Sequence, residues 1–237
     1  MRGGAPADGS GAGSAGEPRA VAPVVDGAAV RWAATPGAPP GPTAPLLVLL
    51  HGYGSHEGDL LGLAPHLPGG LALAAPRGPL TGGPGFAWAP VATPGRPEPE
   101  RVRDGATALL AWLDGDPRAA RRPVALLGFS QGGLMVTQLL RTRPDRFAAA
   151  VVLSGFALDA EEPGDALLAA RDPRVPVLLG HGDADPVIPR AATTRTAAWL
   201  AEHADPEEHA YPGLAHGIDA RVLADVSAFL ARTLPLG

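Results

Sequence analysis

The segment LLGFSQGG, residues 126–133, decides how this chain reads, because it sets Ser130 between Gly128 and Gly132 at the end of an apolar run. Glycine is abundant, with 32 among 237 residues, so the bare G-x-S-x-G spacing says little by itself. Its surroundings say more. VALLGF has the composition of a buried strand, and after the serine Leu134, Met135, Leu139 and Leu140 recur at helical spacing until Pro144 stops the pattern. Strand, sharp turn and helix in that order lift a serine hydroxyl above a sheet edge, beside the free N–H groups of a helix N-terminus. Side chains at Gly128 and Gly132 would collide with the neighbouring strand and helix, and such a turn strains the serine backbone. Ser130 is therefore the candidate nucleophile, with a plain turn residue as the alternative.

Outward from this segment the chain alternates short apolar runs with helical patterns, the signature of βαβ units and an α/β fold. PLLVLLHG, LALAAPRG, AAAVVLSG and VPVLLGHG read as further buried strands of a mainly parallel central sheet. VAPVVDGAAVRW offers two short opening strands, joined as a hairpin around Asp26 and Gly27. Val102, Ala106, Leu109, Leu110 and Leu113 form one helical stripe, and Val222, Leu223, Val226, Phe229 and Leu230 form another near the C-terminus. Residues 81–100, dense in Gly and Pro, read as a long functional loop beside the site. Between Leu153 and Val175 there are only about 20 residues, too few for a large cap domain, so the site should be shallow and fairly open.

Composition narrows the partners. The net charge of −5 and the absence of any basic run argue against nucleic acid and anionic membranes as main partners, leaving small molecules. All basic residues are arginine, and there is no cysteine, hence neither a disulfide framework nor a thiolate metal site. No window approaches the roughly 18 apolar residues of a membrane span. Residues 1–20, rich in Gly, Ala and Ser, are expected to be a disordered leader, and residues 21–237 a single domain. The expectation is a cytoplasmic monomer or homodimer without stable membrane insertion.

A serine needs a base, and the base an orienting acid. VPVLLG runs into HGDADPVIP, and a short strand around HAYPG runs into LAHGI, both toward the edge that carries Ser130. His216 is the candidate general base. Asp183 and Asp185 compete as the acid; Pro186 and Pro189 would rigidify the loop carrying Asp185 and favour it, which leaves Asp183 as a turn residue or a support for the loop. HGDAD lacks the additional ligands of a hydrolytic metal site, so no metal and no cofactor is expected. His66, His203 and His209 read as solvated. In LLHGYGSHEG, Gly52 and Gly54 let the backbone approach a ligand, and the N–H groups of Tyr53 and Gln131 could face one oxyanion. The Lys and Ser/Thr of a phosphate loop are missing there.

LLHGYGSHEGDL, APRGPL, GFAW, LLGFSQGG, LSGF, GHGDADPVIP and YPGLAHGI, in this order, resemble the phospholipase/carboxylesterase family of α/β-hydrolases, which includes the acyl-protein thioesterases. The similarity runs from about Leu46 to the C-terminus. It implies an α/β-hydrolase fold with a triad of Ser130, Asp185 and His216, so it selects Asp185 over Asp183, and oxyanion donors at Tyr53 and Gln131. Leu214 and Ala215 stand where the family more often has Gly and Met before the histidine, a departure that touches packing more than chemistry. GFAW is closer to the bacterial esterase branch than to the protein-depalmitoylating one. Phe86, Trp88, Phe156, Val187 and Ile188 are candidates for an apolar acyl pocket, with simple core packing the alternative for Phe156 and Ile188. The expected activity is hydrolysis of small or medium carboxylic esters through an acyl-enzyme on Ser130. Thioesterase, lysophospholipase-type or acyl-transfer activity on the same triad, and a non-catalytic ligand-binding module, are the alternatives.

Overall fold

Leucine and valine runs dictate the centre of the molecule, which a computed structural model describes over residues 22–91 and 97–236. The strands are β1 (Arg31–Ala34), β2 (Leu46–Leu50), β3 (Ala72–Ala75), β4 (Leu80–Gly82), β5 (Gly85–Ala87), β6 (Val124–Phe129), β7 (Phe147–Leu153), β8 (Pro176–Gly182) and β9 (Asp205–Tyr211). The helices are α1 (Pro99–Gly115), α2 (Gln131–Thr142), α3 (Asp165–Ala169), α4 (Arg190–His203) and α5 (Ala220–Thr233). Seven strands form one sheet in the order β1-β3-β2-β6-β7-β8-β9, parallel except for β1, which pairs antiparallel with β3.

Alternate residues of each buried strand serve opposite faces. Leu46, Val48, Leu50, Leu126 and Val152 pack with α1, α2 and α4 on one side. Leu47, Leu49, Leu127 and Val151 pack with α5 on the other, through Val222, Val226, Phe229 and Leu230. Both faces of β2 are thus covered, which is why its sequence is wholly apolar. Each such leucine taken from water contributes about 1.5–3 kcal/mol before the chain's entropy loss is set against it.

Strand order reverses between β2 and β6: the chain winds outward from β2 to β3, then returns to β6 and winds the other way. Open parallel sheets bind ligands beyond the carboxyl ends of the strands at such a point. HGYG follows β2 and Ser130 follows β6, so both occupy this position.

Two expectations change. The opening hairpin does not form: Asp26 Oδ1 accepts a hydrogen bond from the Ala28 N–H (2.9 Å), turning Gly27–Ala29 into a 3-10 turn, and Arg31–Ala34 finds its partner in β3 instead. Nor is the stretch starting at residue 81 structureless, because β4 and β5 make a hairpin there whose turn uses Gly83 at a φ of +56°. Residues 92–96 of that expected loop, and the expected leader, lie outside the described residues. Between β7 and β8 there is only the short α3, with no large cap domain.

Candidate active site

Ser130 sits between β6 and α2 with φ +56° and ψ −115°, a conformation that costs a non-glycine residue of order 1–3 kcal/mol. Its N–H bonds the Leu153 carbonyl (2.9 Å) and its carbonyl receives the Leu134 N–H (3.1 Å), so neighbouring strand and helix hold the strained turn. The two flanking glycines are required sterically. A Cβ at Gly128 would lie 2.7 Å from the Gly133 nitrogen, and one at Gly132 would lie 2.9 Å from the His51 carbonyl oxygen.

His216 is carried by the loop between β9 and α5, and Asp185 by the loop after β8. Although 31 residues apart, they meet: His216 Nδ1–H donates to Asp185 Oδ2 at 2.8 Å. This leaves the proton on Nδ1 and Nε2 as the acceptor. The other carboxylate oxygen receives the N–H groups of Val187 (2.8 Å) and Ile188 (3.1 Å). Burial pushes the Asp185 carboxyl up, but the hydrogen bond from His216 and those from Ile188 and Val187 outweigh it, and the group lies below the ordinary aspartate range. The His216 ring packs on Phe129, the residue before Ser130, with centroids 4.8 Å apart. Among the described residues Ser130 Oγ has no hydrogen bond of its own; such contacts often tighten only when substrate is bound.

Asp183 points elsewhere. Its Oδ1 accepts from the Gly213 N–H (2.7 Å), tying the loop after β8 to the one after β9. Ala184 N–H to the Leu214 carbonyl (3.1 Å) adds a second tie. Gly182 makes this approach possible, since a Cβ there would lie 2.6 Å from the Leu214 carbonyl carbon and 2.7 Å from the Ala215 oxygen. Gly182 is not among the residues singled out from the sequence; a glycine closing a buried strand just before an acid-bearing loop is the signal that marks it.

The loop after β2 lies against the nucleophile, for a Cβ on Gly52 would sit 3.5 Å from the Ser130 Cβ. Among the described residues neither the Tyr53 nor the Gln131 backbone N–H has an acceptor. The Tyr53 ring is 45% exposed and lies over the β4–β5 turn at Gly82 and Gly83. The hairpin is stitched to this loop by Gly54 N–H to the Phe86 carbonyl (2.9 Å) and Phe86 N–H to the Ser55 carbonyl (2.8 Å). Behind it, Glu57 accepts two hydrogen bonds from Arg77, at 2.8 and 2.6 Å, and these hold its carboxyl down at about 2 against the opposing effect of burial. Both residues lie in motifs that carry the resemblance, but the sequence did not show that they pair, because an ion pair 20 positions apart has no local pattern.

The five candidate pocket residues separate. Val187 is exposed on the rim beside Asp185. Phe86 is half-buried under the Arg77 guanidinium, 4.5 Å from its ring centre. Ile188 is buried in the core, and Phe156, also buried, borders a cavity of about 370 Å³ with Pro97, Leu158 and Pro189. Trp88 needs correction. It has no exposed surface and its indole N–H bonds the His51 carbonyl (2.8 Å), so it supports the loops and lines no pocket. His209, expected to be solvated, is half-buried between Glu207 and Asp225. No cluster among the described residues could hold a metal ion, and no helix among them is long and apolar enough to cross a membrane.

Residues 111–234 match the phospholipase/carboxylesterase family. Acyl-protein thioesterase 1 of Kluyveromyces lactis is 29% identical over 116 residues, 48% of this chain and 51% of that protein. The chain spans about half the length of the curated relatives it matches. Among solved structures, esterase PE8 is 29% identical, with a TM-score of 0.69 over 86% of this chain and 98% of its own. The Bacillus cereus carboxylesterase is 17% identical with a TM-score of 0.74, over 86% of this chain and 94% of its own, a likeness of fold.

Proposed function

The chain belongs to the phospholipase/carboxylesterase family, and from that premise we propose that it is a serine hydrolase that cleaves small or medium carboxylic esters. The observation that carries the reading is the 2.8 Å hydrogen bond from His216 to Asp185, made beside the strained turn at Ser130. Ser130 Oγ attacks the ester carbonyl carbon while His216 Nε2 takes its proton. Charge then develops on the carbonyl oxygen, where the backbone N–H groups of Tyr53 and Gln131 receive it. The tetrahedral adduct collapses, the carbon–oxygen bond to the alcohol breaks, and His216 returns the proton to that oxygen. Water, deprotonated by His216, attacks the acyl carbon; the bond to Ser130 Oγ breaks, His216 returns the proton to Oγ, and the acid leaves. Asp185 holds the imidazole in the Nδ1–H form and stabilises it when charged.

The short α3 segment and the exposed Tyr53 and Val187 favour an open site with an apolar rim, hence modest acyl chains. Thioesters are the second reading, since the same steps with a sulfur leaving group need nothing further. We treat residues 21–237 as one catalytic domain. The test is labelling with a fluorophosphonate, followed by turnover of p-nitrophenyl esters from acetate to laurate and of matched thioesters. The intact protein should be labelled and active, Ser130→Ala should be neither, and His216→Ala should lose most of both. An unlabelled, inactive intact protein refutes the proposal.

A further inference from the structure

The two N–H groups assigned to the oxyanion belong to separate elements, the loop after β2 and the first turn of α2. Ladder pairing between β2 and β6 ends at Leu50 and Gly128, short of both groups. Beyond the ladder the two elements meet through backbone packing, Gly132 against the His51 carbonyl and Gly52 against Ser130. A buried chain of hydrogen bonds also links them and adds direction. Gln131 Oε1 accepts from the Trp88 backbone N–H (2.9 Å), and Gln131 Nε2 donates to the Ala89 carbonyl (2.7 Å). The Trp88 indole N–H donates to the His51 carbonyl (2.8 Å). His51 Nδ1–H donates to the Gly52 carbonyl (2.8 Å), and its Nε2 accepts from the Gly78 N–H (3.0 Å). Tyr53 follows directly.

We propose that Gln131, Trp88 and His51 are positioning residues, whose side chains set the spacing of the Tyr53 and Gln131 N–H groups and so act on the transition state through the backbone they hold. The proposal rests on the hydrolase reading above. Gln131, Trp88 and His51 are 5%, 0% and 1% exposed, so water does not compete for these bonds. The carboxamide is bonded at both ends, and the planar group therefore fixes direction as well as distance. Trp88 is itself immobilised: α1 approaches its carbonyl so closely that a Cβ on Gly105 would lie 3.2 Å from Met135 and overlap the Trp88 backbone. The His51 ring lies 4.9 Å from the indole, and burial holds its pKa down, which keeps it in the neutral form that both of its bonds need.

Three variants test this. Gln131→Met keeps the volume and removes both bonds. Trp88→Phe keeps an aromatic ring and removes the indole N–H. Gln131→Glu, when protonated, keeps both bonds, its O–H donating to Ala89 and its C=O accepting from Trp88. The first two should lower kcat for p-nitrophenyl acetate about 10–100-fold with KM within about 2-fold, because a misplaced donor is felt in the transition state. Affinity for a trifluoromethyl ketone, which adds to the serine and forms an oxyanion, should fall by the same factor. Gln131→Glu should retain more of the wild-type kcat than Gln131→Met at acid pH. A folded Trp88→Phe or Gln131→Met variant with wild-type kcat and ketone affinity overturns the proposal, as does a loss confined to KM or equal loss in Gln131→Glu and Gln131→Met at acid pH. If Gln131→Met does not fold, Trp88→Phe decides the question by the same kcat and ketone-affinity measurements. A wild type that is neither labelled nor active refutes the hydrolase reading, and this inference with it; an active wild type with unaffected variants refutes this inference alone.

Discussion

Gly182→Ala tests whether the acid and base are positioned by the contact between their loops. The added Cβ would stand 2.6 Å from the Leu214 carbonyl carbon and 2.7 Å from the Ala215 oxygen, where unstrained carbon contacts need about 3.5 Å. Leu214 and Ala215 lead directly into His216, and both obstacles are backbone, so the loop must retreat by about 1 Å. That displacement breaks the 3.1 Å bond from Ala184 N–H to the Leu214 carbonyl and stretches the 2.8 Å bond between His216 and Asp185. A misplacement of about 1 Å lowers rate by about 100-fold, and overpacking of this kind costs about 1–3 kcal/mol, or about 2–12 °C in Tm. The assay is kcat on p-nitrophenyl acetate beside a thermal melt and the rate of fluorophosphonate labelling. A well-folded variant that keeps kcat within about 3-fold of wild type would refute the idea that this contact sets the geometry.

Other residues give equally direct outcomes. Asp185→Asn should lower kcat by about 10⁴-fold by removing the charge that fixes the imidazole, whereas Asp183→Ala, which loses only the bond to Gly213, should stay within about 10-fold; equal losses would mean that Asp183 shares the acid's role. Glu57→Gln should lower stability by about 2 kcal/mol at neutral pH, a figure reduced for the partly exposed Arg77, and so lower Tm by about 4–8 °C. Because the Glu57 carboxyl is depressed from 4.5 to about 2, its contribution is complete above pH 4.5 and disappears as pH falls through about 2. The Tm gap between wild type and variant should close over that window, and a gap independent of pH would show that Arg77 is not its source. Asp219→Ala removes the acceptor for the Arg221 (2.9 Å) and Val222 (3.1 Å) N–H groups at the start of α5, and should lower the denaturant midpoint of unfolding with kcat unchanged; an unchanged midpoint would show that the cap contributes nothing.

Much of the architecture was written in local pattern. Ser130 stood out because its turn excludes side chains at Gly128 and Gly132, a steric demand within five residues that leaves its mark on the sequence. The stripes of α1 and α5 were visible because one face of each is buried, α2 because it is buried nearly throughout, and the wholly apolar β2 because both of its faces are covered. Sequence by itself therefore determined the main buried strands, three of the helices, and which loops bear the serine, the aspartates and the histidine, but neither the β4–β5 hairpin nor the partner of β1. The fold alone decided what each side chain meets. Trp88 and Phe86 stand two residues apart in one motif and look equally suited to a pocket, yet Trp88 is sealed beneath α1 while Phe86 is half-buried under Arg77. Asp183 and Asp185 are neighbours on one loop, and only the loop after β9, arriving from across the sheet, gives one to Gly213 and the other to His216. The reason is physical: steric and periodic constraints act over a few residues and are recorded there, whereas burial and hydrogen-bond partnership arise between segments that the strand order brings together.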